Sequence, residues 1–412
     1  MRGRATRESG ATWRALFTAF ATLIAVGCCW LSVAGAHAQA PTALPYGVDV
    51  HAFVSQGFIW SAHNNYLARS KRGSAEFSEL GLNFTKQVSD DLRIGVQLFA
   101  RDLGPDGNYR PQLDWYYLDY RLFDWLGIRA GRTKIPFGLY NEVNDVDAAR
   151  VPILLPQSMY PSDNRELLLA VTGGELYGNV PLGPVGQLEY RAYGGTIFAA
   201  LPRDKPGLTY TEARVPYAFG GRLTWFTPIE GLQLGSSGQA VRLETDYTYD
   251  PAVAQLLVAA KVAPEGFNGK VNFTLPVRLW VLSAEYAWQD LLLSAEYSRR
   301  LGTLTIDPIV PRTYFPNERY YVMASYRILR WLTPGVYYSA LYPDSRNRGS
   351  REERLLDFAG TIRFDLTDHW LVKLEGHLMR GTADLSEDLN GAPPDKLRKN
   401  WGALLIKTTA YF

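Results

Sequence analysis

The sequence predicts an all-β fold: a transmembrane, antiparallel, up-and-down β-barrel of about sixteen strands, with a long third loop folded into its lumen. Three observations predict it. From residue 46 onward apolar and polar residues alternate with period two, the mark of strands with one apolar and one wet face. About sixteen such segments follow one another. The links between them are short after even-numbered segments and long after odd-numbered ones, as in membrane barrels.

Composition alone does not say this. The chain has 412 residues, 43 Lys and Arg against 41 Asp and Glu, and 13% aromatics. Its mean hydropathy of −0.15 is too low for a bundle of apolar helices, each needing about 20 residues. The aromatic content argues against disorder, and the balanced charge against a basic nucleic-acid binder.

The first element is a leader. Arg2, Arg4, Arg7 and Arg14 precede an uncharged apolar run, Ala15 to Ala34, and Ala36-His37-Ala38 offers a small-x-small cleavage site. The expected division is a signal peptide over 1–38 and a barrel over 39–412. Cleavage removes four Arg and one Glu and takes the formal net charge from +2 to −1. It also removes Cys28 and Cys29, both cysteines of the chain. The remainder then has no disulfide, thiolate metal site or cysteine nucleophile.

The predicted strands run roughly over 47–58, 74–88, 92–103, 113–123, 126–134, 168–180, 186–197, 214–226, 232–245, 277–288, 291–302, 318–329, 332–342, 354–366, 370–380 and 400–412. In the third, Leu92, Ile94, Val96, Leu98 and Ala100 share one face, and Arg93, Gly95, Gln97, Phe99 and Arg101 the other. Long links are expected at 59–73, 104–112, 135–167, 198–213, 246–276, 303–317, 343–353 and 381–399. A soluble sandwich also alternates, but nothing in it sorts links by parity. Trp125, Trp331 and Trp370 sit beside short turns, where an aromatic girdle meets lipid headgroups. The last strand ends on Phe412, an aromatic at the terminus of an alternating strand.

Parity assigns the polar face to the lumen. Expected pore-lining bases are Arg129, Arg132, Lys134, Arg191, Arg327, Arg363, Lys373 and Lys407, with Arg93, Arg121 and Arg300 beside them. The inward acids are Glu79, Asp119, Glu175, Glu189, Glu285, Glu296, Asp357, Asp365 and Glu375. A lumen with charges of both signs is wet, and sixteen strands leave room for an aqueous channel. Same-face neighbours such as Arg191 and Glu189 can equally neutralise each other.

Segment 135–167 is rich in Pro and apolar residues, and a link of this length is usually functional. Folded inward, it would bury Ile153-Leu154-Leu155 on the wall and offer Glu142, Asp145, Asp147 and Arg150 as constriction charges.

Gly131-Arg132-Thr133-Lys134-Ile135-Pro136-Phe137-Gly138 resembles the same region of the phosphate-selective porin O/P family and related Gram-negative porins. Gly173-Gly174-Glu175-Leu176-Tyr177-Gly178, followed by a Pro-Leu-Gly turn, is similar to their next strand. The resemblance implies a trimeric, sixteen-stranded porin of the outer membrane whose third loop constricts the pore. Phosphate-selective members depend on clustered lumenal bases. Here the loop carries Glu142, Asp145, Asp147, Asp163 and Glu166 against Arg150 and Arg165, and a ring of acids favours cations.

The expected function is passive diffusion of small hydrophilic solutes, with anion or phosphate selectivity as the alternative. Expected partners are the lipid bilayer, lipopolysaccharide, those solutes, further copies of the chain and the barrel assembly machinery. No nucleic acid, cofactor or metal is expected. A barrel hydrolase is the rival: His51 and His377 could share the lumen, but no Gly-x-Ser-x-Gly or His-Glu-x-x-His motif is present. A plugged structural barrel is a third reading.

Overall fold

The computed structural model describes residues 47–162, 165–198 and 204–412. The expected leader 1–38, with Cys28 and Cys29, and the loop residue Asp163 lie outside the described residues. Sixteen strands close into one antiparallel barrel in which each strand pairs with its neighbours in sequence and the first pairs with the last. They are β1 (Val48–Ala62), β2 (Phe77–Gln87), β3 (Leu92–Leu103), β4 (Gln112–Phe123), β5 (Leu126–Lys134), β6 (Ala170–Pro181), β7 (Gln187–Thr196), β8 (Leu208–Phe226), β9 (Leu232–Tyr249), β10 (Lys270–Trp288), β11 (Leu291–Asp307), β12 (Val310–Tyr326), β13 (Leu332–Tyr342), β14 (Leu355–Thr367), β15 (Trp370–Gly381) and β16 (Asn400–Tyr411).

The seam is tight. β1 and β16 pair from Phe53–Tyr411 to Ala62–Gly402. Beyond the last ladder pair, the Ala52 N–H donates to the Phe412 carbonyl and the Phe412 N–H to the Ala52 carbonyl. The final aromatic residue thus takes part in closure through its backbone, while its ring stays exposed.

Burial along the strands inverts the order of a soluble protein, in which lysine and glutamate are almost never fully buried. Leu378 is 71% exposed and Phe358 50%, whereas Lys373 and Lys407 are 0% and 1% exposed. The apolar face looks outward and the polar face inward. Phe123, Trp125, Trp225, Phe226, Trp288, Tyr326 and Trp331 are exposed at or near the short-turn end. Phe58, Phe219, Trp280 and Phe358 form a second exposed row further along their strands. Trp280 and Trp288 share one face of β10, about 26 Å apart along the strand. Allowing for tilt, that brackets an apolar band close to the ~25 Å of outer-membrane barrels. Trp370 is half-buried, and its indole N–H donates to the Thr408 hydroxyl at 2.7 Å.

The strands from β8 to β12 are taller than the alternation predicts. The expected loop 303–317 reduces to two residues, Pro308 and Ile309, between β11 and β12. The expected loops 198–213 and 246–276 shorten to 197–207 and 250–269, the latter carrying a helix over Pro251–Ala259. Pro276 and Pro316, inside the expected loops, sit in the ladder opposite Arg242 and Leu301. The sixth strand also starts later than expected, because Arg165–Leu169 is a short helix.

Set in lipid, an apolar band of this height would make the cost of a charge depend on depth. Leu282→Arg, between the two aromatic rows on β10, is expected to destabilise the folded barrel by about 2–4 kcal/mol, against about 0–1 kcal/mol for Trp288→Arg at the edge. Urea unfolding in phospholipid vesicles measures both; equal costs would remove the membrane band.

Candidate functional site

On the inner wall from β4 to β8, acids and bases join in one ladder. Arg129 pairs with Asp119 (2.9 Å) and Glu175 (3.1 Å). Arg191 pairs with Glu175 and, at 2.5 Å, with Glu142 of the connection after β5. Arg222 on β8 pairs with the same Glu142 (3.0 Å) and with Glu189 (2.9 Å). Strand register dictates this: Asp119 faces Arg129, Arg129 faces Glu175, and Arg191 faces Arg222 across adjacent strands. Arg222 was not singled out from the sequence. Its place on the polar face of β8, directly beside Arg191, is the mark that would have found it.

The connection 135–169 is bound to the inner faces of many strands. Pro136-Phe137-Gly138 starts it. Gly138 has φ +57°, and a Cβ there would lie 2.5 Å from the Tyr160 hydroxyl and 2.7 Å from Glu296, so only glycine fits. Its N–H donates to Ser237 on β9. The Leu139 N–H donates to Glu296 on β11, as does the Tyr160 hydroxyl. Arg319 on β12 donates to the Ser158 carbonyl at 2.9 Å. Glu375 on β15 accepts the N–H groups of Ile153 (2.6 Å) and Leu154 (2.9 Å).

Two apolar clusters complete the attachment. Ile153 and Leu154 pack with Phe77, Leu341, Met379 and Trp401. Leu155, Met159 and Tyr160 pack with Tyr193, Leu279, Val281 and Tyr321. Apolar residues on the nominally wet face are therefore docking points for this segment.

Several expected lining charges have a different place. Lys373 and Lys407 are fully buried under the segment, so neither meets water in the lumen. The Lys373 ammonium donates to the carbonyls of Asp147 and Arg150, both at 2.8 Å. Lys407 bridges Glu79 (2.5 Å) and Asp147 (2.8 Å). Asp145, Asp147 and Arg150, expected at a constriction, are buried in the same joints. Asp145 pairs with Arg165 (2.7 Å) and Lys134 (3.4 Å), and Arg165 reaches Asp114 on β4 (2.8 Å). Arg150 pairs with Asp147 at 2.9 Å. Arg132 donates to the Asp114 carbonyl, and Arg363 pairs with Asp365 while donating to the Ala148 carbonyl. Arg327 lies beyond the end of β12, exposed in the turn to β13. Glu142 alone among the four loop charges keeps substantial exposure, with 27% of its side chain open.

The two histidines do not form a pair. Register sets His377 level with Ser61 on β1, ten residues or about 33 Å from His51. His377 is buried between Asp357 and Glu375, 3.1 Å from each, where it braces the acid that holds Ile153 and Leu154. Among the described residues no cluster of His, Cys, Asp and Glu could hold a metal.

No protein-family model matches the chain, and no curated protein does. Solved structures do. OmpT, an outer membrane protein of Vibrio cholerae, is 9% identical, with 89% of this chain and 97% of that one covered and a TM-score of 0.54. An anion-selective porin from Comamonas acidovorans is 12% identical, with 89% and 99% covered and a TM-score of 0.53. Salmonella typhi OmpF, in complex with daunomycin, is 12% identical, with 89% and 97% covered and a TM-score of 0.53. At such identities the likeness establishes a shared fold, the closed sixteen-stranded barrel.

Burial alone would raise the carboxyls of Asp145 and Asp147. Arg165 and Lys134 around the first, and Lys407, Lys373 and Arg150 around the second, overcome it and hold both well below the usual carboxylate range. A depressed native pKa stabilises fully above the unfolded value, about 3.9, and the contribution fades only as pH falls below it. The part of the protection of residues 141–155 in hydrogen exchange that these two acids supply is therefore expected to stay constant from pH 8 to 5. Asp147→Asn is expected to reduce it already at neutral pH, by about 3 kcal/mol, because two lysines lose their shared acid. A loss of protection centred near pH 6 in the unsubstituted chain would contradict the assignment.

Proposed function

We propose that this chain is a porin of the Gram-negative outer membrane, forming a water-filled channel for passive diffusion of small hydrophilic solutes. The observation that carries the reading is the inverted polarity of a closed sixteen-stranded barrel: apolar outside, charged and partly open inside. A barrel of this size is too wide for wall side chains to fill. Export after cleavage of 1–38 and assembly as a homotrimer belong to the same proposal; one solved form of Vibrio cholerae OmpT is described as a trimer. The aromatic rows would meet the bilayer, with lipopolysaccharide around the long-loop side.

In this reading segment 135–169 narrows the channel. Its attachments to β9, β11, β12 and β15 and to the two apolar clusters support a path across the lumen. The solute-facing charges are Glu142, Glu189, Arg129, Arg191 and Arg222, each partly open. Asp145 and Asp147 hold the loop instead. The three arginines of this band keep anion or phosphate selectivity as the second reading.

Reversal potential across a salt gradient separates the roles. Glu142→Gln is expected to shift selectivity toward anions, since it uncovers Arg191 and Arg222. Asp145→Asn, buried, is expected to leave the ion preference unchanged. The reverse pattern would sink the assignment, and absence of stepwise conductance in planar bilayers would sink the channel itself.

A further inference from the structure

The tall hairpins of β8, β9 and β10 carry a feature that diffusion through a charged waist does not require. On β9 the odd-numbered side chains point inward: Gln233 donates to Glu285 of β10, and Ser237 accepts the Gly138 N–H. Beyond the level of Trp280, which faces Gly238 across the ladder, the same face continues with Leu243, Thr245, Tyr247 and Tyr249. Register sets Tyr210 beside Tyr247 and Phe273 beside Thr245. The result is an open cavity of about 530 Å³ on the long-loop side, whose described lining includes the rings of Tyr210, Tyr247, Tyr249 and Phe273.

Those rings form a track. Centroids are 5.6 Å apart between Tyr210 and Tyr247, 5.6 Å between Tyr247 and Tyr249, and 6.4 Å between Tyr249 and Phe267. None of Tyr210, Tyr247, Tyr249 and Phe273 is fully buried. The rings meet tilted or edge to face, at 55°, 83° and 67°, and the part-exposed ring surface that remains suits a ligand with apolar faces of its own. At the rim Lys205 lies 3.6 Å from Asp388, both exposed, and Asp204 accepts the Tyr210 N–H. Among the described residues of the lining Lys205 is the one that carries a charge, so an ionic ligand would find little counter-charge among them. The polar groups on offer are the tyrosine hydroxyls and that of Thr245, each a donor and an acceptor.

We propose that this inner face is a binding track for neutral sugars. A pyranose presents C–H faces to stack on rings and a rim of hydroxyls to meet hydroxyls, and successive sugars would take successive rings. The proposal rests on the channel reading only for the direction from which the sugar arrives.

Titration calorimetry of the detergent-solubilised barrel with maltotriose tests it. Measurable binding is expected, weakened about tenfold by Tyr247→Ala or Tyr249→Ala and much less by Tyr247→Phe, which keeps the ring. Tyr217→Ala, on the outer face of β8, is the control and should change nothing. Heat-modifiable migration of each variant verifies that the barrel is closed. No binding of maltotriose, equal binding in all variants, or tighter binding of benzoate than of maltotriose would each overturn the proposal. Maltotriose binding by a barrel that shows no conductance would leave the sugar track standing and remove the channel.

Discussion

A strand in hydrocarbon has no water to satisfy its backbone, so every N–H and C=O must find a partner within the protein. An open sheet leaves two unpaired edges; a closed one leaves none. The ladder between β1 and β16, extended by the reciprocal bonds of Ala52 and Phe412, meets that demand. Closure then forces the remaining architecture. Alternate residues must divide between inside and outside, so the apolar set is exposed and the charged set enclosed. An even number of strands returns both ends of the barrel to the side of the short turns.

Closure also creates a difficulty. Sixteen strands enclose more space than wall side chains fill, and segment 135–169 is what packs against their inner faces. Holding it there requires burying charge. A buried lysine without partners is costly, but Lys373 is surrounded by the carbonyls of Asp147, Arg150 and Pro152, and Lys407 by Glu79 and Asp147. Asp147 and the carbonyls come from the loop and Glu79 from β2, so each lysine ties the loop to the barrel wall. The same logic explains Glu375 and Glu296, whose carboxylates accept loop N–H groups. These joints connect the loop to both apolar clusters and leave little freedom in its path.

The sequence carried the strands and their faces because period two is a local property: each residue reports its own side. It placed Asp119, Arg129, Glu175 and Arg191 on one wet wall, where the structure joins them. It could not say which inward charges stay wet. That depends on where a non-repeating segment runs, and nothing in the alternation distinguishes Lys373, which lies beneath it, from Arg363, which remains partly open. Arg222 was legible by parity and overlooked. The full heights of β8 to β12 were not legible because those strands continue past the apolar band, where the alternation fades, and β10 and β12 there carry Pro276, Pro311 and Pro316.

The division between buried and open charge separates two tasks that could have conflicted. If the acids that hold the loop also faced the solute, changing the ion preference would unseat the loop. Instead Asp145 and Asp147 are enclosed with their bases, and Glu142 meets Arg191 and Arg222 at the open edge. A substitution at Glu142 alters the field across the waist but leaves the Lys373, Lys407 and Glu375 joints intact. In the proposed channel, selectivity can therefore vary by single residues on a scaffold whose shape is fixed elsewhere. The proposed sugar track above the waist would extend the separation, because stacking on its rings needs none of the charges that position the loop.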